Sequence, residues 1–189
     1  MIRAVLFALG LAAAAVLPAQ AQAPENVLVV EVEGKGSVEI ELLPEVAPLH
    51  VERIKSLARD GAYDGVAFHR VIEGFMAQTG DVEFGTREAF GSGRAGTGGS
   101  ELPDLPAEFS DVSFETGVLG MARSASPDSA NSQFFIMFAP APHLDGQYTV
   151  VGRVIAGQEV VDGLTRGEGQ GGTVAAPDYM GRVYLKAEG

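Results

Sequence analysis

The sequence predicts a mainly-β domain, a barrel or a sandwich, with two helices. Eight short strand-like runs follow one another along the chain, and Gly, Pro or Asp bounds nearly all of them. Only two segments have helical spacing. The chain has 189 residues, of which 46% are hydrophobic, and this is enough for one compact domain with a sizeable core. A second full domain is not expected.

The first two predicted strands form a hairpin. In residues 27–34 and 37–44, apolar residues alternate with acidic ones, which is the period of a half-buried strand. The turn between them contains Gly34, Lys35 and Gly36, and Pro44 ends the second strand.

Two segments predict helices. Residues 48–63 carry apolar side chains at helical spacing and reach a stop at Gly61, which predicts an amphipathic helix of about three turns. A second, short helix is expected over residues 158–164, between Gly157 and a glycine-rich stretch.

Six further strand-like runs complete the expected domain. They cover residues 66–72, 74–81, 117–123, 132–138, 148–155 and 180–187. Residues 82–105 have little periodicity, and a loop of this length in a compact domain is usually functional or disordered.

The first 21 residues have the pattern of a secretory signal peptide. Arg3 precedes an apolar run over residues 4–17, and small residues follow it. Cleavage is expected after Ala21 or after Ala23, and the sequence does not choose between these positions. An uncleaved membrane anchor is the alternative, but the run is shorter than the roughly 20 residues that a spanning helix needs.

This pattern sets the expected domain organisation. A signal peptide over residues 1–21 precedes a short linker, residues 22–26, and one domain over residues 27–189. We expect export to the periplasm, with secretion as the alternative, and no stable membrane insertion after cleavage.

Composition excludes several functional classes. The formal net charge is -12, so nucleic acid is a disfavoured partner, because phosphate contacts need clustered Lys and Arg. The chain contains no cysteine, which excludes disulfides, thiol nucleophiles and cysteine-based metal sites.

Two patterns that could bind a cofactor or a metal fail their tests. The GxGxxG match at residues 91–96 lacks a clear strand before it and a helix after it. The three histidines, His50, His69 and His143, lack the spacing of a zinc site. No cofactor and no metal are therefore expected. We expect His50 on the surface of the first helix and His69 as a hydrogen-bonded core residue whose strand position points it away from Arg70.

Residues 68–81, FHRVIEGFMAQTGD, place Arg70 and Gln78 among apolar side chains without an acid or base suited to proton transfer. No serine lies in a GxSxG elbow. One reaction needs none of these groups: rotation about the amide before proline, which meets a barrier of about 18–20 kcal/mol but breaks no bond. It needs an apolar cup for the ring and donors for the imide nitrogen and the neighbouring carbonyl. This segment supplies both, because it places the donors Arg70 and Gln78 among apolar side chains.

Several motifs together carry a resemblance to a known family. They are FHRVIEGFMAQTGD, GTGG (residues 96–99), EF (residues 108–109), GVLGMAR (residues 117–123), NSQFFIMF (residues 131–138) and HLDGQYTVVGRV (residues 143–154). In this order they resemble the cyclophilin family of peptidyl-prolyl cis-trans isomerases, and the match is collinear from about Val27 to Leu185.

The resemblance implies a closed eight-stranded antiparallel β-barrel capped by two α-helices, with the active groove on its outer face. It also implies four catalytic residues. Arg70 would donate to the proline nitrogen of the substrate, and Gln78 would bind the backbone beside it. Phe75 and Phe135 would line the proline cup.

Further residues are implied to bind the substrate. Met76 and Leu144 would complete the cup. The backbone at Ala122 and Arg123 would pair with the peptide on the N-terminal side of proline, and Tyr148 would close one rim.

Three departures from the family pattern concern specificity. His143, also expected to bind substrate, stands where many eukaryotic members carry tryptophan, which implies weak binding of cyclosporin. Arg123 replaces the Asn of eukaryotic members. The 14 residues between Asp81 and Gly96 exceed the number in compact members.

The expected function is therefore prolyl isomerisation that assists the folding of exported proteins. The expected partners are proline-containing unfolded or partly folded polypeptides, and the expected oligomeric state is a monomer. A low-turnover chaperone or adaptor that holds proline-containing segments is the alternative. A third possibility, a barrel whose ligand-binding loops are unrelated to proline, would require residues 82–95 to dominate the function.

Overall fold

The computed structural model describes residues 23–189 as one eight-stranded antiparallel sheet with two helices. The strands are β1 (Val27–Val32), β2 (Gly36–Leu42), β3 (Arg70–Ile72), β4 (Met76–Thr79), β5 (Val118–Met121), β6 (Phe134–Met137), β7 (Val150–Ala156) and β8 (Met180–Leu185). The helices are α1 (Pro48–Arg59) and α2 (Gln158–Asp162). Both helices lie within their predicted segments, and each strand overlaps its predicted run; β2 begins one residue before its run, and β7 ends one residue after it.

The sheet is curled but not closed. Its strand order is β3-β4-β6-β5-β7-β2-β1-β8, which makes β3 and β8 the two edges. The outer edge of β3 pairs instead with a loop, because the Val71 N–H donates to the Gly172 carbonyl at 2.7 Å. The segment that precedes β3 meets the start of β8, through a bridge between Ala67 and Tyr179 and a hydrogen bond from the Met180 N–H to the Val66 carbonyl. The predicted closed barrel is therefore overstated, and a curled half-barrel describes the sheet.

The main core fills the concave side of the sheet. Helix α1 contributes Val51, Ile54 and Leu57 to it, at the helical spacing predicted from the sequence. From β6, Phe134 and Ile136 point into the same cluster. This core is continuous under the strands and holds the sheet in its curl.

Helix α1 begins at a carboxylate. Glu108 accepts the backbone N–H groups of Leu49 and His50 at 3.2 and 3.1 Å, and these are two of the donors that a helix N-terminus leaves free. The same carboxylate contacts His50 Nδ1 at 2.7 Å. The predicted surface position of His50 is wrong: its side chain is fully buried, because it turns inward to meet Glu108.

The predicted linker is partly ordered against the domain. Pro24–Asn26 form a turn of 3-10 helix, and Lys55 Nζ donates to Asn26 Oδ1 at 2.6 Å. The predicted signal peptide, residues 1–21, lies outside the described residues.

The loop that follows β4 is organised around one buried carboxylate. Asp81 accepts the backbone N–H groups of Glu83, Phe84, Gly96 and Gly98, at distances between 2.6 and 3.1 Å. A Cβ at Gly98 would lie 2.5 Å from Asp81 Oδ1, so the backbone can approach the carboxylate only because this residue is glycine. The predicted long loop is therefore folded back over Asp81.

No helix within residues 23–189 is long and apolar enough to cross a membrane.

Candidate active site

Four residues in neighbouring strands lie on one line across the sheet. In the antiparallel register, Arg70 of β3 lies opposite Gln78 of β4, Gln78 lies opposite Phe135 of β6, and Phe135 lies opposite Gly120 of β5. Directly opposed residues in neighbouring strands are close enough to interact on the same face. The register therefore assembles three of the predicted catalytic residues from two separate sequence motifs.

The strand period of two separates this site from the main core. Along β6, Phe134 and Ile136 face inward, whereas Phe135 and Met137 belong to a second hydrophobic cluster on the convex face. Phe114 also belongs to this second cluster. The convex side of the sheet thus has an apolar floor of its own.

A cleft of about 170 Å³ opens above this floor. Nine of the ten site residues predicted from the sequence line it: Arg70, Phe75, Met76, Gln78, Ala122, Arg123, Phe135, Leu144 and Tyr148. The tenth, His143, is not among the lining residues, but its ring stacks on Phe75 with the ring centroids 5.9 Å apart. We call this cleft the apolar cup.

Aromatic contacts fix the floor of the apolar cup. The ring of Phe135 stacks on Phe114, with centroids 5.7 Å apart and an angle of 22° between the ring planes. Tyr148 meets Phe135 edge to face at 5.7 Å and 85°. Such contacts hold an aromatic ring in one orientation, so the surface offered to a ligand is pre-formed.

Arg70 stands at the wall of the apolar cup and is held from two sides. Its Nε donates to the Gly171 carbonyl at 2.9 Å, and its Nη1 donates to Gln78 Oε1 at 3.1 Å. Within residues 23–189, none of the ion pairs includes Arg70. Its positive charge, half-buried beside an apolar surface, therefore remains available to a ligand.

Arg123 is held differently, on the rim. Its Nε and Nη2 donate to the Gln147 carbonyl at 3.3 and 3.1 Å, and its Nη1 donates to the Ser124 carbonyl at 3.0 Å. Its guanidinium lies over the ring of Tyr148, 4.4 Å from the centroid. Arg123 therefore lines the cup with its guanidinium held against Tyr148.

A larger and more polar cleft adjoins the apolar cup. Its volume is about 450 Å³, and it shares Gln78, Ala122 and Arg123 with the cup. Residues 96–100 also line it. Because they share these lining residues, the two clefts form one continuous groove.

His69 is adjacent to Arg70 in the sequence but takes no part in the groove surface. Its side chain is buried, as its predicted direction away from Arg70 requires. The expected hydrogen bonding is wrong, since neither ring nitrogen has a partner among the described residues. Burial lowers the pKa of His69, and the opposing charge of Asp81 only partly offsets this. The ring is therefore neutral near pH 7.

The described residues contain no group of three or more His, Asp or Glu side chains that could hold a metal ion. The groove also presents no serine with an activating base. Its chemistry is that of an apolar cup beside a fixed cationic donor and an amide, which suits bond rotation and not bond cleavage.

Comparison with known proteins identifies the family. Residues 27–183 match the family described as cyclophilin type peptidyl-prolyl cis-trans isomerase/CLD. The chain belongs to the cyclophilin family. It is an isomerase of the cyclophilin type, acting on peptidyl-prolyl bonds.

Named relatives agree with this family. A probable peptidyl-prolyl cis-trans isomerase of Brucella suis is 54% identical over 176 residues, covering 92% of this chain and 89% of the relative. Peptidyl-prolyl cis-trans isomerase B of Bacillus subtilis is 40% identical over 137 residues, covering 72% of this chain and 88% of the relative.

Solved cyclophilins share the fold. A cyclophilin from Hirschia baltica aligns with a TM-score of 0.72 at 29% identity, covering 86% of this chain and 74% of that one. A Cryptosporidium parvum cyclophilin, crystallised in the presence of the dipeptide Ala-Pro, aligns with a TM-score of 0.71 at 22% identity. That second alignment covers 84% of this chain and 98% of the other.

Sequence reasoning missed three residues that build this cyclophilin site. Gln133 Oε1 accepts Gln78 Nε2 at 2.9 Å, and the signal for it was its place in the NSQFFIMF motif. Phe114 supports Phe135 from a segment with no strand period, so no pattern pointed to it. Asp81 ends the FHRVIEGFMAQTGD motif, and only the fold reveals that it organises a loop.

Proposed function

We propose that Arg70 is the catalytic donor and that the apolar cup holds the proline ring of the substrate. The observation that carries this assignment is the guanidinium at the cup wall, fixed by Gln78 and Gly171 and free of any carboxylate partner among the described residues. Rotation localises a lone pair on the imide nitrogen, and a fixed donor beside that nitrogen stabilises the twisted state more than either planar isomer.

The apolar cup contributes the second part of the proposed mechanism. Phe75, Met76, Phe135 and Leu144 would hold the ring still, so that the chain on one side of the bond rotates against a fixed proline. The backbone at Ala122 and Arg123 would hydrogen-bond the residues before proline, with Tyr148 at the rim and His143 behind Phe75. Exclusion of water strengthens the bond from Arg70, because the local dielectric constant falls.

The magnitude of the Arg70 contribution can be bounded. A hydrogen bond to a charged group contributes about 1.5–3 kcal/mol. At about 1.4 kcal/mol for each factor of ten, loss of this donor lowers the rate by about ten- to a hundredfold. Ordering of the peptide in the cup supplies the rest of the acceleration.

Isomerisation of an Ala-Pro peptide, followed by NMR exchange spectroscopy, tests this proposal. We expect Arg70→Ala to lose at least tenfold in kcat/KM, and we expect Arg153→Ala, which removes an exposed arginine of β7, to keep the wild-type value. Full activity in Arg70→Ala would refute the catalytic role. Peptide binding with negligible turnover in the wild type would instead favour the low-turnover chaperone or adaptor.

The substrates we propose are exposed X-Pro bonds in unfolded or partly folded exported proteins, and the compartment is the periplasm. Support comes from the signal-like pattern of residues 1–21 and from the cleft of about 450 Å³ that adjoins the apolar cup. Cell fractionation and the mass of the mature protein test the location and the cleavage position. Secretion into the medium is the alternative outcome.

We also propose a monomer with weak affinity for cyclosporin. Support for the weak affinity comes from His143, which places a small ring against Phe75 where tryptophan would add apolar area. His143→Trp should therefore tighten cyclosporin binding measured by calorimetry. Sedimentation analysis tests the monomer.

A further inference from the structure

We propose that a third cleft beside the groove binds a large apolar side chain of the substrate, three or four residues after the proline. This third cleft has a volume of about 390 Å³ and lies on the far side of Arg70 from the apolar cup. It shares Arg70 and Gln78 with the cup. This inference rests on the place proposed above for the proline ring in the apolar cup.

The third cleft continues the line of opposed residues that crosses the sheet. Thr173, which lines this cleft, bridges to Arg70 in antiparallel register. The Val71 N–H donates to the Gly172 carbonyl at 2.7 Å, on one side of that bridge. Residues 172–174 therefore take the place of one more strand beside β3, and the line extends from Arg70 to Thr173.

The length of this line sets the position of the bound side chain. Neighbouring strands lie about 4.8 Å apart, so the three steps from Phe135, through Gln78 and Arg70, to Thr173 cover about 14 Å. An extended peptide covers this distance in about four residues, because each residue spans about 3.3 Å. A proline ring held over Phe135 therefore places a side chain three or four residues away at the third cleft.

The order of the strands gives the direction of the peptide. Ala122 and Arg123, which we assign to the residues before proline, follow β5, on one side of β6. Strands β4 and β3 and residues 172–174 lie on the other side of β6. A peptide with its proline over Phe135 therefore carries the residues after proline past Arg70 toward the third cleft.

The lining of the third cleft suits an apolar side chain. Most of its surface is apolar, and Phe90, the buried Val174 and Ala175 contribute to it. None of the eleven described residues that line it is acidic, although the formal net charge of the chain is -12. Arg70 would repel a basic side chain, and a carboxylate would pair with Arg70 and withdraw this donor from the proline nitrogen. An apolar side chain can bind here while the reaction proceeds.

The wall of the third cleft is formed before a ligand arrives. The ring of Phe90 meets Tyr179 edge to face, with the centroids 6.2 Å apart and an angle of 71° between the planes. The Arg87 guanidinium lies over the same Tyr179 ring, 4.1 Å from its centroid. These contacts join the loop after β4 to the residue before β8, so little ordering of the loop is needed for binding. Residues 82–95 thus have a part in the choice of substrate.

Paired peptides test this inference. A short Ala-Pro peptide is extended by four residues after proline, with Leu or the similarly sized Asn at the third or the fourth of them. Burial of a whole leucine side chain corresponds to about ten- to a hundredfold in affinity. Because the third cleft is open to solvent, we expect the lower end: about tenfold higher kcat/KM for Leu than for Asn at one of these positions.

The effect should appear in KM. The residues after proline are joined to the ring held in the cup and not to the carbonyl that rotates, so a contact with them is the same in the planar and the twisted states. Such a contact lowers KM and leaves kcat unchanged within about twofold. NMR exchange spectroscopy at several peptide concentrations separates the two constants.

A substitution that fills the third cleft provides the structural test. Ala175 is exposed and lines the cleft, so Ala175→Trp should place an indole there without loss of core packing. We expect this variant to lose the preference for Leu and to keep wild-type activity on the short Ala-Pro peptide, which also shows that it is folded. Ala176→Trp is the matched control, because Ala176 is exposed but is not among the lining residues. It should keep the preference.

The outcomes separate the two proposals. Full activity of Phe135→Ala on the short Ala-Pro peptide would remove the apolar cup as the place of proline, and this inference with it. If Phe135→Ala is impaired, equal kcat/KM for the Leu and Asn peptides at both positions overturns this inference alone. A preference for Leu that survives in Ala175→Trp, or one of equal size when Leu stands before proline, would overturn it as well.

Discussion

Gly120 of β5 lies opposite Phe135 of β6, and aromatic rings fill the space that a side chain at residue 120 would occupy. A Cβ at this position would come within 2.6 Å of Phe114 Cε1 and closer still to Phe135 Cζ. The stacked pair of Phe114 and Phe135 therefore depends on the absence of a side chain at residue 120. The shape of the apolar cup follows from that absence.

Substitution of Gly120 should damage the apolar cup. In Gly120→Ala the added methyl group must displace the Phe135 ring, and overpacking of this kind costs about 1–3 kcal/mol of folding free energy. We expect kcat/KM for an Ala-Pro peptide to fall at least tenfold, because the displaced Phe135 ring moves into the cup and about 1.4 kcal/mol of lost binding to the twisted state is a factor of ten in rate. Gly91→Ala is the matched control, since no atom lies within 4 Å of a Cβ there. Equal behaviour of the two variants would contradict this view of the cup.

Removal of the Glu108 carboxylate should destabilise the fold. Glu108→Ala leaves the Leu49 and His50 N–H groups and the buried His50 ring without their acceptor, and we expect a loss of about 2–3 kcal/mol in the free energy of unfolding. Urea denaturation measures it. Glu115→Ala, at an exposed position, should change stability by less than about 0.5 kcal/mol. A loss below about 1 kcal/mol in Glu108→Ala would show that water replaces the carboxylate.

Burial of His69 should make stability depend on pH. Its pKa is lowered in the folded state by burial, so the unfolded chain binds a proton more readily than the folded one. Stability from this residue is therefore complete above the unfolded pKa of about 6.5, and it is lost as the pH falls below that value. The loss continues until the pH reaches the lowered pKa of the folded state.

Urea denaturation between about pH 5 and pH 8 measures the contribution of His69. The stability of His69→Gln should decrease less steeply toward low pH than that of the wild type. His143→Gln removes an exposed histidine and should keep the wild-type slope. If both variants keep that slope, His69 does not remain neutral on folding.

Loss of the Asp81 carboxylate should release the loop that it organises. Asp81→Ala removes the acceptor of four backbone N–H groups, and we expect a destabilisation of about 3 kcal/mol. Hydrogen exchange at Gly96 and Gly98 should accelerate more than exchange in β1. Asp111→Ala, at an exposed position, provides the control. Unchanged protection of Gly98 in Asp81→Ala would show that other contacts hold the loop.

The sequence predicted the elements better than their contacts. Alternation and helical spacing located all eight strands and both helices, because these periods follow directly from which face is buried. Strand ends were less well placed: the run over residues 66–72 was predicted as a strand, but only Arg70–Ile72 pair as one. The pairing at the outer edge of β3 could not be foreseen, since a loop near Gly172, far along the chain, occupies that edge in place of a strand.

The candidate site was predictable where a motif marks it. Nine predicted residues meet in one cleft because the motifs occupy adjacent strands. Single residues outside strand periods were not predictable. His50 was misplaced because its partner Glu108 lies 58 residues away, and Phe114 was missed because its segment has no regular period.

The alternation along β6 has an evolutionary consequence. Phe134 and Ile136 pack in the main core, whereas Phe135 and Met137 pack in the second cluster beneath the groove. Selection for folding and selection for peptide binding therefore act on different residues of the same strand. Changes on the convex face can alter which peptides are accepted while the concave face keeps the chain folded. Redesign of the groove in the laboratory can therefore start from residues of the second cluster and keep the main core as it is.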